Sequence, residues 1–176
     1  MYKLLVFVAF LAIAQAATNV QRCRFNAGNL PTLTRIEGCT NPPCNLPQLQ
    51  NAVIHMTFTA PRRLANMRTL ATAYLNMGNL VVPVPYDMGA AANTCNFLTN
   101  TRCPVNQGTS INYTLRVMIE AFFPVGTTAT IEFRIEDNGP VVCIAVPIRI
   151  VGPRAIASDD VNEETVNVVD ELPMDA

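Results

Sequence analysis

From Ile111 to Phe123 the chain alternates without a break: Ile111, Tyr113, Leu115, Val117, Ile119, Ala121 and Phe123 fall on one side, and Asn112, Thr114, Arg116, Met118, Glu120 and Phe122 on the other. Period-two alternation predicts a half-buried β-strand. Thirteen residues at roughly 3.3 Å each would run about 43 Å, more than a strand usually spans, so a bend or break is expected partway. The same pattern recurs over 52–60, with Ile54, Met56 and Phe58 against Val53, His55, Thr57 and Thr59, and over 130–136, with Ile131, Phe133 and Ile135 against Glu132, Arg134 and Glu136. It recurs once more over 141–151, where Ile144, Val146, Ile148 and Ile150 share a side. Leu80 to Tyr86 places Leu80, Val82, Val84 and Tyr86 together, but Pro83 and Pro85 remove ladder donors and predict an edge strand or an extended lining segment. Val20–Phe25 and Leu33–Ile36 are short strand candidates, and 64–76 is assigned as strand because its neighbours are β. Met77-Gly78-Asn79, Pro124-Val125-Gly126 and Asp137-Asn138-Gly139-Pro140 supply turns. Seven or so short strands without a strong helix predict an all-β antiparallel sandwich.

Asn112-Tyr113-Thr114 is an N-glycosylation sequon, and a glycan needs solvent, so Asn112 belongs on the outer face where the alternation already puts it. The N-terminus explains how a glycan would be added. Lys3, an apolar run of about a dozen residues and Ala14-Gln15-Ala16 have the form of an export signal, too short for a membrane span, with cleavage expected after Ala16. The remaining 176 − 16 = 160 residues suit one domain with a real core. All six cysteines, Cys23, Cys39, Cys44, Cys95, Cys103 and Cys143, lie in that portion, and an even number in an exported chain reads as three disulfides. Cys39 and Cys44, around Pro42-Pro43, and Cys95 and Cys103 are each near enough in sequence to close a local loop. Zinc is the competing reading; no C-x2-C pair is present and the single histidine, His55, lies in a separate strand.

Charge divides the chain into a domain at 17–157 and a tail at 158–176. The first holds eleven arginines and six acids, a balance of +5; the second holds seven acids and no base, a balance of −7, and reads as disordered. Catalytic constellations are missing, since Ser110 and Ser158 are the only serines, there is no second histidine and no phosphate-cradling glycine motif. Glu132, Glu136 and Asp137 alternate with or flank Arg134 as on a solvated outer face, and no catalytic, metal or cofactor site is expected. Scattered arginines on an exported chain also argue against nucleic acid. What remains is the interior, on which the apolar sides of 54–58, 80–86, 111–123 and 131–135 converge. Periodicity does not distinguish a filled core from a lined pocket.

Order and spacing add a resemblance. The export signal, the six-cysteine order, Pro43-Cys44-Asn45-Leu46, Thr57-Phe58-Thr59, Val82-Pro83-Val84-Pro85-Tyr86, Cys103-Pro104-Val105, Phe123-Pro124 and Cys143 followed by Pro147-Ile148 resemble the ML lipid-recognition family, nearest its Niemann-Pick C type 2 sterol carriers with their arthropod relatives and the mite group-two allergens. The likeness runs from about Val20 to Val151. It implies an immunoglobulin-like sandwich whose interior opens to hold a sterol, a fatty acid or a similar lipid, with pairings Cys23–Cys143, Cys39–Cys44 and Cys95–Cys103. In those carriers an aromatic after the Val-Pro-Val-Pro run, and a β-branched residue with an aromatic four positions later before a proline, line the pocket. Tyr86, Ile119 and Phe123 hold those places here. Phe133 takes about the position of a family tryptophan, and the chain has no tryptophan. With Val84, Phe58, Val117 and Ile54 from the inward faces, these eight residues form the expected lipid-binding set.

The expected activity is therefore a secreted or endosomal–lysosomal lipid carrier, monomeric, with a bound lipid in place of any cofactor. A membrane or a receiving lipid transporter is the expected partner, and the outer arginines would favour anionic lipids. The alternative expectation is an extracellular recognition protein for microbial lipids or chemical cues acting through a receptor.

Overall fold

A computed structural model of the chain describes residues 16–153. Residues 1–15 of the expected export signal, and the whole acidic tail, lie outside the described residues. Among the described residues eight strands form two sheets: β1 (Leu33–Ile36), β2 (Cys44–Pro47), β3 (Asn51–Thr59), β4 (Arg68–Met77), β5 (Leu80–Tyr86), β6 (Ser110–Met118), β7 (Thr128–Glu136) and β8 (Pro140–Val151). The smaller sheet has the order β1-β3-β6, the larger β2-β8-β7-β4-β5. All pairings within the sheets are antiparallel except β2 with β8. The all-β sandwich predicted from alternation is present.

The register explains which side chains meet. Ile54 pairs with Leu115, Met56 with Tyr113 and Phe58 with Ile111, so the apolar sides of β3 and β6 form one continuous inward face. In the other sheet Phe133, Ala71 and Tyr86 form a row across β7, β4 and β5, and Ile131, Ala73 and Val84 form the next. Pro83 and Pro85 lie on β5, which is an edge strand as their missing donors require.

Four expectations need correction. The long alternating run ends as strand at Met118; Ile119 to Thr127 loops, Ala121 faces solvent and Phe123 reaches inward from the loop. Strand β2 was not predicted, because the two prolines before Cys44 read as irregular; β2 begins after them. Strand 64–76 starts only at Arg68, and Leu64 instead bridges Val105. Finally, 20–25 is not a strand. It belongs to a strap that crosses the outer face of the larger sheet, held by backbone bonds between Gln21 and Ala145 and between Asn29 and Cys143, and by the Cys23–Cys143 disulfide.

That strap also overturns the solvated reading of Glu132, which is only 1 % exposed. Its carboxylate accepts from the backbone of Arg24 at 2.6 Å and Phe25 at 3.2 Å and from Asn26 Nδ2 at 2.7 Å, while Phe25 stacks on Tyr74 beside it. A buried charge is tolerated here because donors surround it. Gly28 is required where the strap runs against β8: a Cβ there would stand 2.7 Å from Cys143 N, and φ is +147°. The other two disulfides are Cys39–Cys44 and Cys95–Cys103, so all three pairings implied by the resemblance are present.

Candidate functional site

One end of the sandwich is filled. Phe58, Leu64, Met67, Ile111, Tyr113 and Leu115 are each at most 2 % exposed. Tyr113 carries a hydroxyl into this core, where Thr69 Oγ1 lies 2.8 Å away and in turn 2.7 Å from Thr94 Oγ1. Burial pushes the Tyr113 phenol up to about 12, because a phenolate there would lose its hydration.

Toward the other end the two sheets enclose a cavity of about 340 Å³. Ile36, Ala52, Ile54 and Val117 line it from the smaller sheet, Leu46, Ala73, Ile131, Phe133, Val146 and Ile148 from the larger, and Ile119, Phe123 and Pro124 from the loop after β6. Small side chains make the room. Ala71 and Ala73 on β4, Ala129 on β7 and Ala52 on β3 stand at inward positions and leave open between the sheets the volume that longer side chains would fill. The lining side chains are apolar apart from the Tyr86 hydroxyl and Thr127, so a hydrocarbon guest meets a wall with few polar groups to desolvate.

The opening lies where the β5 edge faces the end of β6 and its loop. Val84, Met118 and Pro124 line the cavity there and are themselves exposed. Tyr86 and Phe123 approach across this gap with ring centroids 5.9 Å apart, and Phe122 packs on Phe123 at 4.4 Å while remaining 72 % exposed. The rim is apolar as well. Leu49, Met77, Leu80, Val81, Phe122 and Val125 are exposed at the turns and loops of this end. The loop is held by Leu49 N donating to Ile119 O at 2.7 Å, Ile119 N to Gln50 O at 2.9 Å, and Gln48 Nε2 to Phe123 O at 2.6 Å.

Of the eight residues expected to bind lipid, the structure brings seven to one cavity: Ile54, Val84, Tyr86, Val117, Ile119, Phe123 and Phe133. Phe58 lies in the filled end and is not among the lining residues. Leu80 and Val82, assigned to the same side as Val84, also do not line it; Leu80 is exposed at the β4–β5 turn. The alanines, Leu46 on β2 and Ile36 on β1 are lining residues that sequence reasoning missed.

Asn112 is exposed on the outer face of β6, with its Oδ1 accepting from Thr57 Oγ1 at 3.0 Å. His55, on the same face, stands 2.9 Å from Glu37 Oε1 and 3.0 Å from Thr114 Oγ1, away from the cavity. The hydrogen bond from His55, opposed by partial burial and helped by the nearby positive charge of Arg35 and Arg116, holds the Glu37 carboxyl below the usual range. A cluster of Cys23, Cys143 and Glu132 has the spacing of metal ligands, but both sulfurs are in one disulfide.

No curated protein sequence matches the chain. Among solved structures, a Niemann-Pick type C2 protein from the Japanese carpenter ant shares the fold with a TM-score of 0.63 at 19% identity, covering 74% of this chain and 98% of that one. Residues 17–150, most of the chain, match the ML domain, and the protein thus belongs to the ML domain family of lipid-recognition proteins, which are generally non-catalytic.

Proposed function

We propose that this protein is a secreted lipid carrier that holds a sterol, a fatty acid or a similar single lipid between its sheets and keeps it from water. The observation that carries the reading is the apolar cavity of about 340 Å³, open at one end and bordered by exposed apolar side chains. Pockets for small ligands begin at about 300 Å³, so the space suits one lipid rather than several. Each methylene moved out of water contributes roughly 0.8 kcal/mol, so about ten give near 8 kcal/mol before ordering costs, in the micromolar range. No covalent step is needed: the hydrophobic effect loads the protein, and release follows when the rim meets another apolar phase.

The same rim supports a membrane or a receiving lipid transporter as the partner. Three disulfides support passage through the secretory pathway, and the exposure of Asn112 supports a glycan there. The test is native mass spectrometry of the glycan-trimmed protein followed by solvent extraction. A co-purifying lipid of one chemical class is expected; a protein that arrives empty and takes up neither fluorescent sterol nor fluorescent fatty acid overturns the reading. Ile119→Asp should abolish uptake in a folded, oxidised domain, and retained uptake would move the binding site elsewhere.

A further inference from the structure

The two aromatic rings at the opening are held in different ways. Tyr86 lies on β5 and pairs with Ala71 on β4, so the sheet fixes its place. Phe123 lies in the loop after β6, outside the strands of either sheet. Backbone bonds fasten that loop at both ends. Ile119 is held by Leu49 N and Gln50 O, and at the far end Gly126 N donates to Ile150 O and Ile150 N to Thr127 O, each at 2.9 Å. Between these fastenings the bonds from Phe123 N to Glu120 O and from Thr127 N to Pro124 O lie within the loop and travel with it.

One side chain ties the middle of the loop to the rest of the molecule. Gln48 Nε2 donates to Ala121 O at 3.0 Å and to Phe123 O at 2.6 Å, and among the described residues no other side chain bonds to the backbone of 120–125. A primary amide carries two N–H groups, and here both go to carbonyls on either side of Phe122. Gln48 is firmly seated itself. It follows directly on β2, and its own N donates to Val151 O at the end of β8 at 3.0 Å. It does not line the cavity, whereas Phe123 does.

We propose that Gln48 is a positioning residue that latches the mouth, setting how fast a lipid exchanges rather than how tightly it is held. Opening is a swing of 120–125 about its two fastened ends; it breaks both Gln48 bonds and carries Phe123 away from Tyr86, while the backbone bonds at Ile119, Gly126 and Thr127 stay made. This rests on the carrier reading and assigns the rate of its loading and unloading to a side chain outside the cavity. Entry and exit pass the same gate, so loosening the latch speeds both by one factor and leaves their ratio unchanged. A neutral hydrogen bond at its usual net strength shifts an equilibrium about fivefold, so loss of both raises the open fraction by about that factor or more.

Stopped-flow uptake of the neutral fluorescent probe N-phenyl-1-naphthylamine, and its release into excess phosphatidylcholine vesicles, measure the two rates on the oxidised protein. Gln48→Met keeps the length of the side chain and removes its donors, and Gln48→Glu turns a carboxylate toward the two carbonyls. Both variants should raise uptake and release together by about fivefold or more, with the dissociation constant and the melting temperature held. In a Phe123→Ala background, where the ring is gone, Gln48→Met should add little to either rate. Unchanged rates in both variants overturn the latch. So does weaker binding through faster release alone, the signature of a residue that merely supports the wall, and so does a full further acceleration in the Phe123→Ala background. A native protein that takes up no probe overturns the carrier reading and the latch with it.

Discussion

The two ends of the sandwich are built from the same strands and the same alternation, yet one is solid and the other hollow. At the solid end Phe58 on β3 faces a space shared with Ile111, Leu64 and Met67, all within 2 % of full burial. At the hollow end Ile54, on the same face of the same strand, lines a cavity opposite alanines. What differs is side-chain volume at inward positions and the path of the chain beyond β6, which leaves the apolar space between the sheets uncapped. The solid end gives the fold its stability, so the hollow end is free to leave dispersion contacts unmade until a guest supplies them.

The contrast can be broken most forcefully at Phe58. Truncating Phe58→Ala should cost about 3–5 kcal/mol of stability, measured by urea denaturation, while lipid uptake by the remaining folded protein persists. Loss of uptake without loss of stability would show that the two ends are not separate.

Alkaline pH tests the solid end next. Tyr113 is pushed up to about 12 in the folded state, against an ordinary value near 10 in the unfolded chain. Above pH 10 the unfolded chain releases this proton and the folded one keeps it, so stability falls as pH rises and the loss approaches about 2–3 kcal/mol near pH 12. Urea midpoints taken between pH 9 and about 11.5 should fall in the native sequence, and Tyr113→Phe should flatten much of that decline. An unchanged slope would mean that the hydroxyl is hydrated after all.

Filling the hollow end is the third probe. Ala73→Leu adds volume where space already exists, so overpacking strain should be small, the melting temperature should hold or rise, and lipid affinity should drop at least about tenfold, near 1.4 kcal/mol. A marked drop in melting temperature would show that the cavity is narrower there than the geometry indicates.

The division was partly visible in the residues. Period two assigns a face correctly, which is why Ile54, Val117 and Phe133 were found. It carries no information on depth along a strand, which is why Phe58 joined them and proved to lie in the solid end. The alanines were missed for a related reason: they add little to an apolar pattern, and what matters about them is the side chain they lack. Glu132 was misread because alternation with Arg134 looks the same whether water or a strap covers the face; only the fold shows donors from Arg24, Phe25 and Asn26. Strand β2 was hidden by Pro42 and Pro43, since they mark where regular structure is absent and give no sign of how soon it resumes.

The smallest effect lies on the rim. Leu49 is 59 % exposed with φ at +61°, a left-handed conformation that a leucine adopts at a cost. Leu49→Gly should therefore raise stability by up to about 1 kcal/mol while slowing lipid transfer between vesicles. Faster or unchanged transfer would make the exposed leucine incidental to the mouth.

Strand β8 is where distant parts of the chain are joined. It pairs with β7 just before it, but also with β2, about a hundred residues earlier, with the strap at Gln21 and Asn29, and through Cys143 with Cys23 across a sequence separation of 120. A chain that emerges from its N-terminus therefore makes its hairpins and its two short-range disulfides while its longest cross-link waits for the last strand. Until then Cys23 lacks its native partner and the strap that covers the Glu132 carboxylate lacks its covalent anchor. Thiol trapping during oxidative refolding should therefore find Cys23 and Cys143 becoming protected together, as β8 takes its place.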